Sequence, residues 1–134
     1  DFTKIVHKFI ESNKDNADLT EFLEPLAALN KEWGDLTMQI GMKAMQNPDE
    51  VGAAAVDYMY FSGYVTLAYL WARMALLAQQ QLAAGSTETG FYNAKVTTAR
   101  FYFKKILPRV RSHVDVIAGG LDPLMALSPE DFAF

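Results

Sequence analysis

The chain has 134 residues, enough for one domain with a sizeable core and too few for a second of ordinary size. A hydrophobic share of 51% with eight Gly and five Pro excludes a disordered polymer. The absence of Cys excludes disulfide staples and thiolate metal sites, and it fits a reducing, cytoplasmic setting.

Helical spacing recurs along the chain, and no stretch shows sustained period-two alternation. Phe2, Ile5, Phe9 and Ile10 predict a first helix that breaks in the polar "ESNKDNAD". A second helix is expected from near Thr20 to about Gln46, with Glu21 and Glu24 near the positive end of its dipole and Pro25 in its first turn. Its apolar stripe reads Leu26, Leu29, Trp33, Leu36, Ile40, Ala44, opposite Lys31, Glu32, Asp35, Gln39 and Lys43. "NPDE" then signals a new start, with Asn47 as cap and Pro48 at the first helical position. The third helix is expected to run to about Ala84, where Gly85 and Ser86 stop it. Thr87 and Glu88 read as the cap of a last long helix, which Pro108 should kink or split and Gly119-Gly120 should end. The tail "LDPLMALSPEDFAF" is apolar enough to be expected on a surface rather than in water.

Residues 58–82 carry one charge, Arg73. The stretch is long enough to span a membrane. Four tyrosines, Ser62 and Thr66 crowd one half, however, and Arg73 near mid-depth would cost at least about 2.5 kcal/mol. No membrane span is therefore expected. The better reading is the interior rod of a bundle, with a seam of Val51, Ala55, Tyr58, Ser62, Val65, Tyr69, Ala72 and Leu76. Ala54, Phe61, Ala68 and Ala75 lie beside it, and Met59, Leu70 and Leu77 face elsewhere. Such a rod is expected to be sheathed nearly all round by helices of its own chain, with Gly63 and the alanines allowing close approach and no pocket beside it. Arg73 should meet an acid of the second helix or reach solvent.

Chemistry-bearing motifs are missing. Only His7 and His113 occur, neither preceded by Glu-x-x-His, so no metal ligand set is expected. There is no Gly-x-Ser-x-Gly elbow, no Gly-x-Gly-x-x-Gly and no Gly-x-x-x-x-Gly-Lys loop. Asp115, two residues after His113, does not share its helix face.

Charge is uneven within a net of -4: residues 1–50 hold ten acids and five bases, whereas 95–111 hold six bases and no acid. Those bases are Lys95, Arg100, Lys104, Lys105, Arg109 and Arg111. One basic segment in an acidic chain does not describe a nucleic-acid binder. The plain reading is a solvated face balanced by the acidic first half. The sharper one is a docking surface for an acidic neighbour or for the phosphates of coenzyme A.

Three segments, "YVTLAYLWARMALLA", "FYNAKVTTARFYFKKILPRV" and "AGGLDPLMALSPEDF", resemble the C-terminal helical extension of acyl-CoA dehydrogenases of the 3-methylmercaptopropionyl-CoA dehydrogenase type. The resemblance covers residues ~55–132; the first fifty match only as generic bundle helices. It implies a parent flavoprotein oxidoreductase that binds FAD and oxidises acyl-CoA thioesters, abstracting an α-proton with a glutamate in a Tyr-Glu-Gly turn. No Tyr-Glu-Gly occurs here, so no catalytic or cofactor-binding residue carries over.

The expectation is an all-α, up-and-down four-helix bundle with a long central helix and an apolar C-terminal tail. Residues 1–134 form a single helical domain, a C-terminal fragment of a longer acyl-CoA dehydrogenase, since the chain opens on Asp1 without a start Met. Its role would be structural: packing on the parent's catalytic domains, contacting acyl-CoA, or forming homo-oligomer contacts. A stand-alone helical interaction module without flavin chemistry is the alternative.

Overall fold

The computed structural model describes residues 1–133, and the expected helices appear in order. α1 spans Phe2–Asn13, α2 Thr20–Gln46, α3 Asp49–Ala83, α4 Thr89–Phe101 and α5 Val110–Gly119, followed by a one-turn α6 at Asp122–Met125. No strand occurs among the described residues.

Local chemistry sets the boundaries. Asp1 Oδ1 accepts from the Thr3 N–H at 3.1 Å and opens α1. Asn16 does the same for Asp18 at 3.1 Å, starting a 3₁₀ turn at Ala17–Leu19 that feeds α2. Asn47 Oδ1 accepts from the Asp49 N–H at 3.1 Å, with Pro48 ahead of it, as "NPDE" predicts. α3 stops where Gly85 adopts a φ of 84°, a conformation glycine takes without a Cβ clash.

Two boundaries differ from expectation. Pro25 is the sixth residue of α2, not part of its first turn. The carbonyl it leaves unserved belongs to exposed Glu21, where water can take the bond. At α4, Ser86 rather than Thr87 binds the backbone: its Oγ accepts from the Glu88 N–H at 3.2 Å, and the helix begins at Thr89. The hydroxyl closes a local turn that holds Thr87 outside the helix.

Pro108 splits the last helix as expected. A π-helical turn at Tyr102–Ile106 and a 3₁₀ turn at Leu107–Arg109 separate α4 from α5, and the Leu107 N–H reaches back to the Tyr102 carbonyl. The wider turn accommodates a ring that would otherwise strike the carbonyl four residues back. Tyr102 lies in that turn, buried, and its hydroxyl donates to the Tyr64 carbonyl of α3 at 2.7 Å. Burial pushes the Tyr102 phenol well above its usual range.

The topology is an up-and-down four-helix bundle whose fourth rod is α4 plus α5. Asn30 Nδ2 donates to the Thr3 carbonyl at 3.0 Å, placing α1 antiparallel to α2. Trp33 Nε1 donates to the Tyr58 hydroxyl at 3.1 Å, and the Trp33 ring meets Phe61 at 6.5 Å, fixing α2 against α3. Arg100 pairs with Glu21 and Arg111 with Glu32, so α4–α5 runs parallel to α2. Phe22, Leu26, Phe61, Val65, Ala68, Ala72 and Ala75 are fully buried at the centre. In α1 the core residue is Val6, whereas Ile5 is 52% exposed. One position along a helix turns a side chain by about 100°, and Phe2 and Phe9 flank the buried line on Val6's side.

The sheathed rod is overturned. Val51, Val56, Met59, Leu67, Leu70 and Leu77 of α3 are all exposed. Four rods leave α3 with neighbours on three sides, and α1, at 12 residues, is about one third of its length. The buried stripe takes Val65, Tyr69 and Ala72 from the expected seam and Ala54, Phe61, Ala68 and Ala75 from the residues beside it, whereas Val51 and Ala55 at the start of the seam are exposed. Gly63 faces open space, so no helix of this chain uses it for close approach.

The tail departs from expectation too. Its entry is fixed, since Gly120 turns at a φ of 67° and the Leu121 N–H donates to Glu50 Oε2 at 3.2 Å. Beyond it Leu124, Met125, Leu127 and Phe132 stay exposed. The last residue of the predicted tail falls outside the described residues.

Candidate functional site

The basic segment divides into two sets. Arg100 binds Glu21 through Nε at 2.7 Å and a second nitrogen at 3.1 Å. Arg111 binds Glu32 with both terminal nitrogens, one at 3.1 Å. In each case the carboxylate hydrogen bond raises the guanidinium's pKa above its ordinary value. These two arginines tie the fourth rod to the acidic first half, as the plain reading holds. Lys95 Nζ lies over the Phe91 ring at 5.0 Å. Lys104, Lys105 and Arg109 are exposed and make no ion pair among the described residues. They are what remains of the proposed anion-docking surface.

His113 has a partner that spacing along the chain could not reveal. Its Nδ1 lies 2.8 Å from Asp57 Oδ1 on α3, and Asp115 is not involved. The ring stacks on Tyr60 at 5.0 Å and lies 5.7 Å from Tyr64, so the pair fastens α5 to α3. Asp57 is the one acid between Glu50 and Glu88; that isolation in an apolar rod was the available signal. His7 is exposed on α1. Among the described residues no group of three or more His, Cys, Asp or Glu could hold a metal ion.

One side of α3 is open and apolar. Val56, Met59, Leu67, Leu70 and Leu77 follow three- and four-residue spacing along it, interrupted by Gly63 and by one charge, Arg73. Arg73 reaches no acid of α2 and rests 5.6 Å from the Tyr69 ring centroid. Beside it Phe9, Leu70, Arg73, Met74, Leu76, Leu77 and Gln80 line a groove of ≈ 460 Å³, so the rod does adjoin a pocket. No described helix is long and apolar enough to cross a membrane.

The grooves do not fit a flavin. A dinucleotide pyrophosphate takes backbone N–H groups at a glycine-rich helix N-terminus. The groove beside α3 offers hydrocarbon and one guanidinium, and the groove between α1 and α2 is lined by Lys4, His7, Glu11 and Lys31 among others, with no glycine-rich helix N-terminus. No step of flavin chemistry is assigned to these residues.

The chain is 30% identical over 135 residues to the broad-specificity linear acyl-CoA dehydrogenase FadE5 of Mycobacterium tuberculosis. The match covers 95% of this chain and 22% of that relative's length. The family described as acetyl-CoA dehydrogenase C-terminal like matches residues 2–128, nearly the whole bundle, and the chain belongs to that family.

Proposed function

We propose that this chain is the accessory C-terminal helical domain of a longer, cytoplasmic, FAD-dependent acyl-CoA dehydrogenase of the 3-methylmercaptopropionyl-CoA dehydrogenase type. By itself it is not catalytic. The parent oxidises acyl-CoA thioesters at Cα–Cβ, and this domain packs on the parent's catalytic domains or forms contacts between subunits. The observation that carries the reading is the apolar face of α3 that its own chain leaves uncovered. Family membership and the 22% share of the relative's length support it. Burying such a face stabilises a contact by about 25 cal/mol per Å² of apolar area.

The test uses the complete enzyme carrying Leu67→Glu and Leu70→Glu. The expected result is faster proteolytic release of this domain and impaired assembly or turnover, with the bundle's helical circular dichroism retained. Unchanged proteolysis, assembly and turnover would refute the docking role. A stand-alone interaction module would show itself by an open reading frame that starts at or near Asp1.

Within the same reading, Lys104, Lys105 and Arg109 are the groups available to a coenzyme A phosphate. Calorimetric titration of coenzyme A into the enzyme and its Lys104→Glu/Lys105→Glu variant tests that contact. Equal affinities would remove it without touching the packing role.

A further inference from the structure

The open line of α3 is spaced alike in both directions from Gly63. Met59 and Leu67 stand four residues from it on either side, and Val56 and Leu70 seven; all four are between 41% and 60% exposed. Offsets of three and four keep them on one helix face. Nothing lies within 4 Å of where a Gly63 Cβ would stand, so another helix can approach the backbone at the middle of the line. A face with this symmetry matches a second copy of itself. Turned antiparallel about Gly63, Met59 of one copy meets Leu67 of the other and Val56 meets Leu70, each contact occurring twice.

Toward the C-terminal end of α3 the face runs into the groove beside Phe9. Leu70 and Leu77 belong to both, Met74 and Leu76 add apolar lining, and Arg73 is the groove's one charge. Arg73 makes no ion pair among the described residues. A partner that covers the groove must therefore bring a carboxylate with its apolar surface, because a guanidinium taken out of water without a counter-charge is costly. The segment after Gly120 has that chemistry. Leu124, Met125, Leu127 and Phe132 are exposed, and residues 120–134 hold three acids, Asp122, Glu130 and Asp131, and no base. Asp122 and Glu130 make no ion pair among the described residues.

The segment's own groove is out of its reach. Glu50 holds the Leu121 N–H, and Arg73 lies 23 residues further along α3, about 35 Å at 1.5 Å per residue. Leu127, six residues past Leu121, extends at most about 22 Å from it. The antiparallel register removes the mismatch. Glu50 and Leu76 each stand thirteen residues from Gly63, so the anchor of one copy's segment comes beside the groove of the other.

Resting on the reading of this chain as a domain that forms contacts between subunits, we infer that two copies pack antiparallel across α3 at Gly63 and exchange the segments after Gly120. Each segment lays Leu124, Met125 and Leu127 into the other copy's groove and sets a carboxylate on Arg73. One arrangement thus covers the exposed segment and gives Arg73 its counter-charge.

The test uses the complete enzyme in two variants. One carries a photo-reactive phenylalanine in place of Leu127. Irradiation should give a product of doubled mass on denaturing electrophoresis, with mass spectrometry joining position 127 to residues 70–80. The other carries Gly63→Cys, a substitution with open space around it. A short bismaleimide should join position 63 of one copy to position 63 of the other. Either result missing overturns the inference. If Leu67→Glu and Leu70→Glu then still release the domain or impair assembly, the docking reading stands without it; if they change nothing, that reading falls as well.

Discussion

Phe61 and Leu67 are two apolar residues six positions apart on one helix, and only the tertiary structure separates their energetics. Phe61 is fully buried against Trp33, whereas Leu67 is 47% exposed. Phe61→Ala removes a ring from the centre of the bundle and should destabilise the 134-residue chain by about 3–5 kcal/mol, cavity included. Domains of this size hold about 5–15 kcal/mol, so the variant should still fold, with its Tm lower by roughly 10–20 °C. Leu67→Ala removes surface that is half solvated already and should cost about 1 kcal/mol or less. Urea titration followed by circular dichroism, with the denaturant slope unchanged, measures both. In the complete enzyme Leu67→Ala should cost more than in the 134-residue chain, because the docked face is then covered. The reasoning fails if Phe61→Ala costs less than about 1 kcal/mol, or if the two substitutions cost the same in the 134-residue chain.

Two further outcomes follow from the bundle's edges. Gly120→Ala forces a side chain into a backbone region open almost only to glycine and should cost about 1–3 kcal/mol, freeing the Leu121 amide from Glu50 to faster hydrogen exchange; unchanged exchange at Leu121 would contradict it. A double-mutant cycle on Arg100 and Glu21, whose side chains are 48% and 41% exposed, should give a coupling of about 0.2–1 kcal/mol that shrinks with added salt. A coupling above about 2 kcal/mol that salt leaves intact would mean the pair is far better shielded than its exposure indicates.

Much of the architecture was legible because it rests on local rules. Apolar spacing marked α2 and α3, Asn47-Pro48 marked a start, Gly85 and Gly120 marked stops, and Pro108 marked the break between α4 and α5. Each depends on dihedral preference or on a backbone N–H within reach of a nearby side chain, and a linear sequence contains that information. The misplacement of Ile5 for Val6 shows the limit, since a helix's apolar arc can be read while its deepest residue depends on where the neighbour sits.

Residue spacing alone specified the helices and their order, one of them long and with a single charge over residues 58–82. Helical spacing also turns Met59, Leu70 and Leu77 of the open face away from the seam. Tertiary structure decided which apolar faces are covered, which cations are already paired, and that His113 meets Asp57 across 56 positions. Those outcomes depend on helix lengths and on how many neighbours one rod can hold. α3 is apolar on all sides, but four rods reach only three of them, and α1 has about one third of its length.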